Sequence, residues 1–196
     1  MPNHAANCGR HTAGERGPDC YQTPLPAVRA LLDVEDLPKV IWEPACGPGN
    51  IVAALRDVGH HVYASDIIDY GCPDALGGID FLTTTTPNDS IAAIVTNPPF
   101  QLANQFVAHA LTLGLPKVVM LLRLAFLEGQ RRSQLLEGGL LARVHVFRDR
   151  LPMMHREGWQ GRRASSSIAF AWFVFERGHC GPPHLHRLSW RPYAHH

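Results

Sequence analysis

Residues 39–66 read KVIWEPACGPGNIVAALRDVGHHVYASD. A short apolar run enters a turn that holds Gly47 and Gly49, and apolar residues then recur at 51, 52, 55 and 58. That spacing is helical, and Gly59 stands where a helix would end on a left-handed residue. A second short strand, HHVYASD (60–66), closes on an acid. Strand, glycine turn, helix and strand in this order predict a parallel β-α-β unit.

The same alternation continues outward. TPLPAVRALLDVE (23–35) has apolar residues at 25, 28, 31 and 32, which predicts a helix entered through Thr-Pro. IDFL (79–82) is a third candidate strand, and Thr83, Thr84, Thr85 and Thr86 read as connective. IAAIVTN (91–97) is a fourth strand, QLANQFVAHALTLG (101–114) a helix, KVVMLLR (117–123) a fifth strand and AFLEGQRRSQLLEGG (125–139) a helix. ARVHVF (142–147) and SIAFAWFVFE (167–176) read as closing strands, the second apolar enough to be central. No helix separates that pair, so one strand should run antiparallel. The expected fold is α/β, Rossmann-like and doubly wound: a mostly parallel seven-stranded sheet with one antiparallel strand and helices on both faces. Residues 1–19 read as a flexible tail, 20–178 as one domain and 179–196 as a C-terminal tail.

The chain has 196 residues, 45% of them hydrophobic, enough to bury a core. No apolar run is long enough for a membrane helix, and the N-terminus lacks the apolar region of a secretory signal. Five cysteines, an odd number, without an export signal point to reduced thiols in a cytoplasm. Charge is divided unevenly. Residues 1–100 carry 5 basic against 12 acidic residues, a net of −7; residues 101–196 carry 13 against 5, a net of +8. Arg143, Arg148, Arg150, Arg156, Arg162 and Arg163 crowd into one stretch. Guanidinium forks suit phosphate oxygens, so Arg148, Arg150, Arg156, Arg162 and Arg163, around the long 148–166 loop, are candidate nucleic-acid contacts.

Ligands of open α/β sheets bind at the carboxyl ends of the strands. Glu43 stands at one such end, beside glycines that let the backbone approach a ligand. The turn is neither the dinucleotide pattern nor a Walker loop. A carboxylate here would repel a pyrophosphate and would suit a ligand carrying an ammonium and a sulfonium. Asp66, about 20 residues beyond the glycines, is placed as a ribose-hydroxyl acceptor. Asp80 and Phe81 suit an adenine amino group and ring.

The fourth strand ends in Asn97-Pro98-Pro99-Phe100. Prolines fix φ and lack N–H donors, so the Pro98 carbonyl is held as an acceptor, with the Asn97 amide oxygen as another. Two acceptors aimed at one point fit a primary amine conjugated to an aromatic ring. Their bonds favour a pyramidal nitrogen and draw its lone pair out of conjugation, while Phe100 holds the ring by stacking.

EPACGPGN (43–50), ASD (64–66), IDFL (79–82) and NPPF (97–100) resemble motifs I to IV of the class I S-adenosylmethionine-dependent methyltransferases. More narrowly they resemble the DNA methyltransferases that modify N6 of adenine. DCYQTP (19–24) resembles the motif that precedes motif I in that group, and the likeness spans residues 19–176. The resemblance implies S-adenosylmethionine as cofactor. Tyr21, Thr23, Glu43, Ala45, Gly47 and Gly49 would lie along its methionine side, Asp66 at its ribose, and Asp80 with Phe81 at its adenine, with Asn97 shared. It also implies that Asn97, Pro98 and Phe100 bind the target amine and that methyl transfer is direct, without metal or covalent enzyme intermediate. The chain has no room for an appended recognition domain, so a short or loose recognition sequence is expected. RNA-base and protein-glutamine methyltransferases share the Asn-Pro-Pro-aromatic motif and stay open as alternatives, as does a silent nucleic-acid binder. Cytosine-C5 chemistry is disfavoured, because no Pro-Cys occurs. His179, Cys180, His184 and His186 fit no standard zinc spacing.

Overall fold

The computed structural model describes residues 21–153 and 168–194. The strands are β1 (Val40–Glu43), β2 (His61–Ala64), β3 (Ala93–Thr96), β4 (Lys117–Arg123), β5 (Leu141–Phe147), β6 (Phe170–Glu176) and β7 (His184–Leu188). They form one seven-stranded sheet in the order β2-β1-β3-β4-β6-β5-β7. β6 is antiparallel to β4 and β5, and every other pairing is parallel. The expected sheet, with its single antiparallel strand, is therefore present. The helices are α1 (Leu25–Leu32), α2 (Asn50–Asp57), α3 (Ala103–Thr112) and the single turn α4 (Ser133–Leu136). Gly59 follows α2 with φ +90°, the left-handed ending that a side chain would strain.

Alternation along the central strands builds two cores. Val95, Val119, Leu121, Trp172 and Val174 face α1 and α2. Ile94, Val118, Met120, Leu122, Ala171, Phe173 and Phe175 face α3 and Phe126. Period-two side chains on a sheet covered on both faces give the near-continuous apolar runs of β3, β4 and β6. The fully buried Trp172 also donates its indole N–H to the Ala27 carbonyl (3.0 Å), which fastens α1 to the antiparallel strand.

Two of the expected elements are replaced. Residues 79–82 do not form a strand. The Asp80 carboxylate accepts from the Leu82 N–H (3.0 Å), and Phe81–Thr83 close a 3-10 turn. A side chain that captures the local backbone N–H removes it from a ladder. The seventh strand is instead β7, within the stretch expected as a C-terminal tail. Its residues are exposed except Leu188, so no hydrophobic alternation marked it; backbone pairing with β5 from Arg143↔His184 to Phe147↔Leu188 makes it a strand. The helix expected over 125–139 is broken into 3-10 turns at Leu124–Leu127 and Gln130–Arg132 and the short α4, with Gly129 at φ +95° between them. Among the described residues no helix is long and apolar enough to cross a membrane.

At the amino end of the parallel strands, Glu35 is 5% exposed and gathers a cationic cluster. Its carboxylate pairs with Arg143, accepts from Lys117 Nζ (3.2 Å), and lies 2.8 Å from His145 Nε2. Lys117 also pairs with Glu176 (3.0 Å), its register partner on β6. Burial alone would raise the Glu35 pKa, but the bonds from His145, Arg143 and Lys117 prevail and hold it near 2. Its ionised form therefore stabilises the fold above the usual carboxylate range of about 4.5, and that stabilisation is lost as pH falls through about 2. Glu35→Ala should destabilise the protein by about 3 kcal/mol in urea unfolding at pH 7, because the cations lose their buried partner. The variant's stability should also change less than the parent's between pH 4.5 and pH 2.

Candidate active site

The carboxyl ends of β1, β2 and β3 meet around one open cleft. On leaving β1 the chain turns through Gly47 (φ +51°) and Gly49 (φ +97°) into α2. A Cβ on Gly49 would stand 2.6 Å from Cys72 Sγ, so both backbone angle and space demand glycine there. Asp66, just past β2, accepts the Gly47 N–H on one carboxylate oxygen (2.9 Å) and the Ile68 N–H on the other (3.1 Å). The acid thus holds the glycine turn to the loop after β2.

Asn97 ends β3. Its amide nitrogen donates to the Tyr21 backbone carbonyl (2.9 Å). A carbonyl can only accept, so the amide orientation is decided: nitrogen toward Tyr21, oxygen away from it. That oxygen is buried and has no partner among the described residues. Pro98 is buried beside it and Phe100 is half-buried. The Tyr21 ring stacks on Phe100 (5.1 Å between centroids, 25° between planes), and the Arg123 guanidinium lies 4.2 Å from the Phe100 centroid. The Phe100 ring is therefore already covered by side chains, rather than standing open.

The cleft has an empty volume of about 980 Å³, open mouth included. Tyr21, Thr23, Ala45, Gly47, Asp66, Asp80, Phe81, Asn97, Pro98 and Phe100, all singled out in the sequence, border it. Glu43 and Gly49 do not: Glu43 is wholly buried and Gly49 is turned toward Cys72. Phe81 is only 2% exposed, its ring packed by Trp42, Phe106 and His109, so it is floor rather than a free stacking face.

Sequence reading missed Asn50, Ile67, Ile68 and Tyr70 on the cleft wall. Asn50 donates to the Thr23 carbonyl (2.9 Å), tying the segment before α1 to the glycine turn. Ile67 is 62% exposed, and an apolar pair directly after a strand-end acid was the signal available for it. Arg148 is exposed beside Asp149 (3.7 Å), and Arg150 lies in a neighbouring groove; neither borders the cleft. Arg156, Arg162 and Arg163 lie outside the described residues, as do residues 1–20. His184 and His186 are β7 residues, with His186 stacked on His145 (5.3 Å).

No protein-family model matches this sequence, and no curated protein does. Solved structures do match in three dimensions. A Pyrococcus horikoshii protein described as an RNA methyltransferase superposes with a TM-score of 0.56 at 15% identity, over 80% of this chain and 86% of that one. A Listeria monocytogenes protein described as a class I S-adenosylmethionine-dependent methyltransferase gives 0.56 at 14% identity, over 83% and 62%. The fold is that of the class I methyltransferases. A Vibrio vulnificus protein described as the modification subunit of a type I restriction enzyme gives 0.56 at 16% identity over 89% of this chain, which spans 48% of that subunit's length.

In this methyltransferase fold Glu43 supports the glycine turn from behind. One oxygen accepts the Ala45 N–H (3.2 Å), and the Thr96 side chain stands against the buried carboxyl. Burial pushes the carboxyl up to about 8, since an ionised group there would lack solvation. From pH 4.5 to about 8 the folded state keeps a proton that the unfolded chain releases, so stability falls as pH rises across that window. Glu43→Gln, uncharged throughout, should remove that slope in thermal melts of the ligand-free protein and should be the more stable form at pH 8.

Proposed function

We propose that this chain transfers the methyl group of S-adenosylmethionine to the exocyclic amine of a nucleic-acid base, with N6 of adenine in DNA as the substrate. One observation carries the reading: the Asn97 amide oxygen is buried, unpartnered and held in orientation at the strand end that borders the cleft. An acceptor kept dry without a partner costs about 1–3 kcal/mol, which a bound donor would recover. A primary amine is a donor of the right kind.

The residues around the cleft fit the proposed cofactor. The positive-φ glycine turn leaves room for close backbone approach, and Asp66, although engaged by two N–H groups, keeps lone pairs for ribose hydroxyls. Asp80 is exposed on the cleft border and would meet an adenine amino group; Tyr21, Thr23 and Ala45 would flank the methionine part. When bound, the cofactor supplies an electrophilic methyl group on sulfur. Asn97 and the Pro98 carbonyl would hold the target nitrogen and draw its lone pair out of the ring. Phe100 would hold the base. The Arg123 contact on Phe100 is worth about 0.5–1 kcal/mol at an exposed site. Stacking of a base is worth roughly 1–3 kcal/mol, so an entering base can displace the guanidinium. A duplex base must first be extruded, at a cost of a few kcal/mol. A cytoplasmic setting is supported by the unpaired Cys46 and Cys72, both buried.

With labelled cofactor and unmethylated DNA, the protein should yield N6-methyladenine on digestion to nucleosides. Label on RNA bases or on glutamine instead would move the substrate to those classes. Asn97→Ala should lower turnover by about 100-fold or more, the scale of losing one preorganised polar group, while calorimetry still detects cofactor binding. Retention of full turnover would remove Asn97 from the chemistry.

A further inference from the structure

A groove adjoins the cleft on the far side of Phe100. It is bordered by Arg123 at the end of β4, by Arg150 beyond β5 and by Arg187 on β7. Arg123 links the two: it borders the groove, and its guanidinium lies on the ring of Phe100, which borders the cleft. In the β5–β7 register Arg187 stands opposite Val146, and Leu185 shares its face of the strand two residues earlier. Leu127 (40% exposed) and Leu185 (63% exposed) put apolar surface between the cations. The groove's one acid is Glu128, against three guanidinium groups. Several other basic residues of this half are paired with carboxylates: Arg143 with Glu35 and Glu176, Lys117 with the same two acids, and Arg191 with Asp149 (2.6 Å). Among the described residues no carboxylate pairs with Arg123, Arg150 or Arg187.

We propose that Arg123, Arg150 and Arg187 bind the phosphodiester strand flanking the target base, with Leu127 and Leu185 beneath its sugars and bases. The proposal rests on the methyl-transfer reading of the adjoining cleft and names the path by which the polymer would reach it. Guanidinium forks match phosphate oxygens two at a time. A cationic border over an apolar floor suits a strand whose charges lie outside and whose bases are flat and apolar. An acidic peptide is the competing occupant. Two of the three arginines, Arg123 and Arg187, lie outside the 148–166 segment, so only the tertiary fold assembles the set.

The test uses the full chain and fluorescence anisotropy with labelled 20-nucleotide DNA and RNA strands, titrated with salt, beside calorimetry with S-adenosylmethionine. Arg187→Glu and Arg150→Glu should each weaken binding about tenfold at low salt and reduce the slope of log K against log salt by about 0.7–0.9, one phosphate contact each. Arg187→Lys should recover most of the slope. Thermal melts confirm that the variants fold. Unchanged slopes in both charge reversals, or displacement of the strand by polyglutamate at equal charge, would overturn the groove. Cofactor binding with no strand binding by the parent at low salt would also overturn it, while leaving methyl transfer standing. Strand binding that depends on Arg187 in a protein that binds no cofactor would support the groove and sink the methyl-transfer reading.

Discussion

The bond from the Asn97 amide to the Tyr21 carbonyl organises the cleft. It joins residues 76 positions apart and so brings the segment before α1 against the end of β3. Because the carbonyl can only accept, the bond also dictates which way the amide faces, and it leaves the oxygen as a dry, directed acceptor. Asn50 repeats the device by donating to the Thr23 carbonyl two residues on. One short segment is thus fastened at two points, to the residue after β3 and to the first residue of α2, and the cleft between them takes its shape from those fastenings.

Charge is sorted along the strands rather than along the chain. The amino end of the parallel strands holds Glu35 and Glu176 against Arg143 and Lys117, a closed set in which opposite charges stand in contact. The carboxyl end gathers Asp66 and Asp80 at the cleft and Arg123, Arg150 and Arg187 beside it. Acid and base there are adjacent but unpaired with each other. The first arrangement holds a helix to a sheet. The second leaves charge facing solvent, the condition under which a charged ligand gains most from binding.

Much of the fold was legible because its signals are local. The helical spacing before Gly59, the apolar β3, β4 and β6, and the missing helix before β6 each follow from a few neighbouring residues. Two of the errors share a cause. IDFL has strand composition, but the Asp80 side chain takes the Leu82 N–H and turns the backbone aside. HLHRL has almost no apolar alternation, yet it is a strand because β5 offers it an edge. In both places hydrogen bonding outweighed the apolar pattern. Cleft residues named from the motifs largely meet around one cavity, whereas Glu43 is withdrawn behind the turn and Phe81 forms the packed floor.

The sequence by itself determined the order of strands and turns, and with it the end of the sheet where a cleft would open. Side-chain period and glycine position are properties of short stretches, and the parallel topology follows from their alternation. Tertiary structure alone decided which acceptors stay unsatisfied and which arginines stand together. Those outcomes depend on contacts between residues tens of positions apart: Asn97 with Tyr21, Arg123 with Phe100, and β7 with β5. Burial and pairing belong to surroundings, and a chain has surroundings only once it is folded.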